Sequence, residues 1–138
     1  YLTTSRDGTE WTKQTAADLR VQGWNIWHQD MIKTDIGYEI VFCAKPHNAK
    51  DNLSGLSLFY AYSSDGLHFS EPVKIISPSE NSAAFDNLSI YRASILKTKS
   101  GYKIYYTAAN TGFVWKIGLS AGTSISELTG FLQDGFKQ

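Results

Sequence analysis

Apolar and polar residues alternate over most of this chain, and short turn segments separate the alternating stretches. "YEIVFCA" (Tyr38 to Ala44) and "LSLFYAYS" (Leu56 to Ser63) are apolar runs of strand length. Gly37 stands just before the first run, and glycine accepts the positive φ that a tight turn requires. We therefore predict two antiparallel hairpins: one joins "DMIKT" to the first run, and the other joins the second run to "HFSEPVKIIS".

The second half of the chain repeats this pattern. "YRASILKT", "YKIYYTAA" and "VWKIGLSA" are strand-like and are separated by turn residues. The Gly-Tyr pair at Gly37 returns at Gly101, and "AYSS" from Ala61 aligns with "GLSA" from Gly118 at a somewhat shorter offset. Each unit thus predicts four antiparallel strands joined by short connections.

A turn motif, Ser-x-Asp-Gly-x-x-aromatic, occurs at Ser5 to Trp11 and again at Ser63 to Phe69. In such a turn the Asp side chain accepts hydrogen bonds from backbone amides, the Gly takes an unusual φ, and the aromatic ring packs beneath. We therefore expect Asp7 and Asp65 to be structural residues.

A long sequence repeat with four strands in each unit is typical of β-propeller blades. The predicted fold is all-β, with residues 1–23 ending one blade, 24–86 forming a second and 87–138 a third. The segment "TKQTAADLRVQ" is either a weak helix or a loop. Because a propeller closes with at least four blades, the chain requires the remainder of a propeller, self-association into a ring, or packing of its sheets as a sandwich.

The composition narrows the function classes. Lys plus Arg and Asp plus Glu balance at 13 each, so the chain has no net field that favours nucleic acid. No apolar run approaches the roughly 18 residues of a membrane span. The single Cys43 lies in an apolar strand and is expected to be a buried thiol, and His47 and His68 lack metal-ligand spacing. We predict no metal site and no cofactor.

Three stretches carry a resemblance to a known superfamily: "NIWHQDMIKTDIGYEIVFCA", "IYRASILKTKSGYKIYYTA" and "VWKIGLSAG". They resemble the blades of the five-bladed propellers in the glycoside hydrolase superfamily that includes families 43, 32, 68 and 130. The resemblance implies part of a glycoside hydrolase that acts on a poly- or oligosaccharide, outside the cell or on its surface. Because such blades also occur in proteins that only bind, a non-catalytic module for glycan or protein is the alternative.

Candidate catalytic chemistry centres on Asp30. Glycoside hydrolysis needs carboxylates at the propeller axis, and Asp30 is the one acidic residue on the two predicted innermost strands. The resemblance implies that it is a site carboxylate. The alternative is an Asp that caps the strand or satisfies a loop amide.

Substrate binding is assigned to Trp27, His28, Tyr91 and Arg92, which occupy matching positions in the two units. Aromatic faces stack on the apolar side of a sugar ring, and Arg offers a fork of hydrogen-bond donors. Alternatively, Trp27 and Tyr91 pack between blades, and Arg92 holds the next blade through a buried ion pair.

Two further residues are candidate site carboxylates. Glu39 is expected on the same sheet face as Val41 and Cys43, and Asp86 lies in the loop that enters the second unit.

Overall fold

The structure, a computed structural model, describes residues 1–130 and is built from two four-stranded antiparallel sheets. The strands of the first sheet, in both chain order and spatial order, are β1 (Trp24–Thr34), β2 (Gly37–Pro46), β3 (Ser57–Ser63) and β4 (Val73–Ile76). Those of the second sheet are β5 (Ser89–Thr98), β6 (Gly101–Ala109), β7 (Trp115–Gly122) and β8 (Thr129–Gly130). Within these residues the one helical segment is a 3₁₀ turn at Ile125–Glu127. The predicted all-β fold with antiparallel sheets is confirmed.

The two Gly-Tyr turns are matching structures in the two sheets. Gly37 and Gly101 have φ of +129° and +128°. A Cβ at Gly37 would lie 2.2 Å from the carbonyl oxygen of Ser63, and one at Gly101 would lie 2.2 Å from that of Gly122. Both glycines are therefore required by φ and by close backbone contact.

The Ser-x-Asp-Gly turns have the predicted structure. The Asp65 side chain accepts hydrogen bonds from the backbone N–H groups of Leu67 (2.8 Å) and His68 (2.9 Å). Asp7 makes the same pair of contacts in the earlier turn, and in both turns these bonds lower the pKa of the Asp. The expectation for the aromatic residue is confirmed for Phe69, which packs on the core, and is wrong for Trp11, which is 60% exposed.

The pairing register corrects one part of the sequence alignment. Ala61 pairs with Ile40 in the first sheet, and Ser120 pairs with Ile104, the match of Ile40, in the second. Ala61 therefore matches Ser120 and not Gly118. The shift by two positions preserves the alternation of faces, which is why sequence pattern alone did not reveal it.

Two apolar clusters cover the two faces of the first sheet. Val41 and Cys43 point toward the second sheet and pack with its Ile95 and Ile104. On the opposite face Phe42 belongs to a cluster that includes side chains from the N-terminal segment. Strand β2 is consequently buried on both faces, and its apolar run needs no polar alternation.

The N-terminal segment is extended rather than helical. Leu2 and Thr15 form an antiparallel bridge, and Asp18 forms a parallel bridge with His68. In the repeat, Leu2 and Thr15 match Tyr60 and Val73, the residues that pair β3 with β4. The helical alternative for Thr12 to Gln22 is therefore wrong. No helix in the described part of the chain is long and apolar enough to cross a membrane.

Candidate functional site

A β-bulge interrupts the innermost strand of each sheet at the same place. The β1–β2 register shifts between Ile26 and Gln29, so that Trp27 and His28 stand opposite a single residue of β2. The β5–β6 register shifts in the same way between Ile90 and Ala93. The bulged residues there are Tyr91 and Arg92. Bulges redirect side chains and are over-represented next to active sites.

The bulges reverse the alternation of faces along each inner strand. Ile26 packs with the N-terminal segment, whereas Ile32 packs against the second sheet, although both numbers are even. An unbroken strand would place the two side chains on one face. The extra residue therefore turns Ile26 and Ile32 toward opposite faces of the sheet.

The four predicted binding residues meet at these bulges. The His28 and Tyr91 rings lie 4.9 Å apart at 84°, and the His28 Nε2 is 2.8 Å from the Tyr91 hydroxyl. Trp27 approaches Tyr91 edge-on at 6.1 Å, and the Arg92 guanidinium lies 5.7 Å from the Tyr91 ring centre. The grouping of Trp27, His28, Tyr91 and Arg92 is called the bulge cluster below.

Two residues that sequence reasoning missed extend the bulge cluster. Trp115, at the start of β7, lies edge-on to Tyr91 at 5.7 Å, and the Lys45 ammonium lies 5.6 Å from the Trp27 ring centre. Trp27 and Trp115 are 39% and 43% exposed, so each ring retains accessible surface. Trp115 was detectable in principle, because a strand paired with β6 begins there, at the end of the sheet that carries Tyr91.

Arg92 is exposed and forms no ion pair within residues 1–130. The alternative of a buried ion pair between Arg92 and the next blade therefore finds no partner among these residues. The Arg92 donors face solvent beside the aromatic rings.

Asp30 joins the two inner strands. Its Oδ2 accepts hydrogen bonds from the Ser94 hydroxyl and the Ile95 backbone N–H, both at 2.9 Å. Its Oδ1 accepts from the backbone N–H of Met31 at 3.1 Å. Ser94 is the residue that matches Asp30 in the repeat. Asp30 therefore satisfies a backbone amide of the neighbouring sheet, and Oδ1 has no donor from another side chain within residues 1–130.

Glu39 is buried between the sheets rather than near the bulge cluster. It is 1% exposed and accepts hydrogen bonds from the hydroxyls of Tyr60 (2.8 Å) and Tyr102 (2.7 Å) and from the Lys97 ammonium (2.6 Å). Burial raises the pKa of Glu39, but these donors and the charge of Lys97 outweigh it, so the pKa lies below its usual range. We call these four residues the Glu39 clasp. They hold the two sheets together.

Asp86 lies half-buried in the loop between the two sheets. Burial raises its pKa, and the hydroxyl of Tyr106 partly opposes the rise. The pKa of Tyr106 in turn is raised to about 12, mainly by burial and by the charge of Asp86. Asp86 therefore lies close enough to Tyr106 for the two to shift each other's pKa, and no hydrogen bond within residues 1–130 joins it to the bulge cluster.

The cysteine and the two remaining histidines lie outside the bulge cluster. Cys43 is fully buried, and burial raises the pKa of its thiol. His68 is exposed and pairs with Asp65 at 2.7 Å, and His47 is exposed. Within residues 1–130 no group of three His, Cys, Asp or Glu side chains is placed to hold a metal ion.

The paired four-stranded sheets have counterparts among solved structures. The chain shares its fold with two proteins that act on carbohydrates. One is Zg3597, a family 117 glycoside hydrolase from the marine bacterium Zobellia galactanivorans, with a TM-score of 0.70 and 16% identity over 86% of this chain. The other is an N-acetylgalactosamine deacetylase from F. plautii, solved with blood group B trisaccharide, with a TM-score of 0.66 and 19% identity over 99% of this chain.

These similarities establish the fold. The chain spans 42% of the first protein and 44% of the second, so it corresponds to less than half of either. No protein-family model matches the chain, and no curated protein matches its sequence.

Proposed function

We propose that this chain is part of a carbohydrate-active five-bladed β-propeller protein and that the bulge cluster binds a sugar. The observation that carries the proposal is the pair of matching bulges, which gathers Trp27, His28, Tyr91 and Arg92 from two sheets. The fold shared with two proteins that act on carbohydrates supports it. In this proposal residues 1–23, 24–86 and 87–138 are successive blade portions, and the protein acts outside the cell or on its surface.

The chemistry of the bulge cluster suits a sugar ring. A pyranose has an apolar face of C–H groups and a rim of hydroxyls. The half-exposed rings of Trp27 and Trp115 offer surface for the apolar face. His28, Tyr91 and the exposed Arg92 supply donors and acceptors for the rim.

We expect the Trp27→Ala variant to bind its glycan at least about tenfold more weakly, since one lost stacking contact of this size is worth ~1.4 kcal/mol or more. A glycan array first identifies the poly- and oligosaccharides that the unmodified chain binds. The affinities of both variants for these glycans are then measured by titration calorimetry. Trp11→Ala is the matched control, because Trp11 is also exposed but lies in the N-terminal turn. Equal affinities of the two variants would contradict the proposal.

Within this proposal Asp30 is a catalytic carboxylate of a glycoside hydrolase. Hydrolysis requires a second carboxylate about 5 to 10 Å away. Along the described inner strands β1 and β5, Asp30 is the one acidic residue. We expect the remainder of the propeller to supply the second carboxylate.

The Asp30→Asn variant tests the catalytic assignment in the natural polypeptide that contains this chain. We expect turnover of the bound glycan to fall by at least about 100-fold in a variant that still folds, because the amide keeps an oxygen for Ser94 and Ile95, loses only the bond from the Met31 N–H, and cannot act as a carboxylate. Ser94→Ala, which removes one of these hydrogen bonds and leaves the carboxylate, is the control. A variant that retains full turnover would show that Asp30 has no catalytic role.

A non-catalytic binding module is the second candidate, and one observation favours it. Both oxygens of Asp30 accept hydrogen bonds from the protein, and the matching position in the second sheet is Ser94. If the natural polypeptide binds glycan through the bulge cluster but turns none over, this second candidate replaces the first.

A further inference from the structure

Lys33 and Tyr38 repeat the cationic half of the Glu39 clasp on the opposite face of the first sheet. Lys33 pairs with Tyr38 across β1 and β2, as Lys97 pairs with Tyr102 across β5 and β6. The ammonium-to-ring distances are 5.9 Å and 5.1 Å. Lys97 and Tyr102 bind a carboxylate, whereas Lys33 has no ion pair in the described part of the chain.

The face that carries Lys33 is also left uncovered beside this pair. Met31 is 42% exposed, whereas its match in the second sheet, Ile95, is 4% exposed because the first sheet covers it. A groove of about 230 Å³ runs along this face, lined by Met31, Ile40 and N-terminal residues that include Leu2. The first sheet therefore covers Ile95, whereas no sheet in the described part of the chain covers Met31.

Residues 1–15 supply only the outer half of a sheet over this face. The Thr4 carbonyl accepts from Thr12 N–H at 2.8 Å, as that of Tyr62 accepts from Ser70 N–H at 2.8 Å. In the first sheet the neighbouring Ala61 then pairs with Ile40 of β2. The matching residue, Thr3, has no backbone partner within residues 1–130. Its strand therefore has an open edge of the kind that accepts another strand.

We propose that a two-stranded β-hairpin pairs with the open edge at Thr3, covers Met31 and places a carboxylate on Lys33 and Tyr38. In the first sheet Glu39 stands opposite Tyr62. The carboxylate of the added hairpin accordingly stands opposite Thr4. This inference does not depend on the sugar site.

The occupant is a further repeat of the same kind and not a second copy of this chain. The residue that matches Glu39 on the open face of the second sheet is Lys103, which is exposed. Docking that face onto Lys33 would oppose two cations. Residues 1–15 also already occupy the outer half of the position that a complete second sheet would need.

An extended chain tests the proposal directly. A second copy of residues 24–58 is fused ahead of Tyr1, so that its Leu58 is followed by Tyr1. Because Tyr1 matches Phe59 in the repeat, this junction imitates the natural step from Leu58 to Phe59. We expect a higher melting temperature than that of the chain without the extension. Replacing the glutamate of the added segment by Gln, or making Lys33→Met, should each lower it by at least about 4 °C, and the two changes together should lower it no further.

Two results would overturn the proposal in the extended chain: a melting temperature insensitive to the added glutamate, or fully additive losses. If the extended chain does not fold, carbodiimide coupling in the natural polypeptide decides. We expect Lys33 to couple to an Asp or Glu of another segment far more than the exposed Lys116 does. Coupling of Lys33 equal to that of Lys116, or coupling to a second copy in an isotopically mixed sample, refutes the assignment.

Discussion

Replacing Lys97 by methionine in the unextended chain of residues 1–138 lowers the free energy of unfolding by about 2 to 3 kcal/mol, whereas the same change at Lys33 in that chain alters it by less than about 0.5 kcal/mol. Lys97→Met leaves the buried Glu39 carboxylate with two tyrosine hydroxyls and no cation. Removing one partner of a fully buried ion pair costs about 3 to 5 kcal/mol. The loss expected for Lys97→Met is smaller because Lys97 is 38% exposed and solvent screens its charge. Lys33 is the matched control, because it has the same ring contact and no carboxylate.

The measurement is urea unfolding at pH 7 and at lower pH. Because the folded-state pKa of Glu39 lies below its usual range, its contribution to stability is present above the unfolded pKa of about 4.3 and is lost as the pH falls through the folded value. The difference between Lys97→Met and the unmodified chain should therefore narrow in acid. Adding Glu39→Gln to Lys97→Met should recover part of the loss. Equal effects at Lys33 and Lys97 would refute the clasp.

Replacing Gly101 by alanine costs about 3 kcal/mol or more. The new Cβ would lie 2.2 Å from the carbonyl oxygen of Gly122 and 2.7 Å from the Cα of Thr123, so backbone of the neighbouring strand must move. The φ of +128° adds strain of about 1 to 2 kcal/mol for an L-residue.

Gly8→Ala is the control for Gly101→Ala. Gly8 has a φ of +79°, but nothing lies within 4 Å of its added Cβ, so only the φ strain of about 1 kcal/mol remains. Both variants are compared by urea unfolding. A loss at Gly101 no greater than that at Gly8 would show that the close turn does not constrain the sheet.

The strands and the repeat were predictable because each depends on local sequence. Alternation around Gly37 and Gly101 marks the hairpins, and the spacing between these two glycines aligns Trp27 with Tyr91. The bulges were not predictable. The residue types at Trp27 and His28 do not mark an extra residue, and only the pairing with β2 shows that one is present.

The Glu39 clasp and Trp115 were missed for a different reason. Glu39, Tyr60, Lys97 and Tyr102 come from four strands of two sheets, and no spacing in the sequence relates a carboxylate to donors across an inter-sheet contact. Trp115 joins Tyr91 because β7 begins beside the end of β6. Sequence repeats predict matching positions well, but contacts between unlike positions require the packed sheets.

Sugar binding at the bulge cluster can be followed through the four tryptophans, Trp11, Trp24, Trp27 and Trp115. Their indole N–H signals are followed by ¹H–¹⁵N NMR while an oligosaccharide that the protein binds is added. We expect the signals of Trp27 and Trp115 to shift until the site is saturated, and those of Trp11 and the core-packed Trp24 to stay in place. Saturable shifts at Trp11 or Trp24 with none at Trp27 and Trp115 would contradict sugar binding at the bulge cluster.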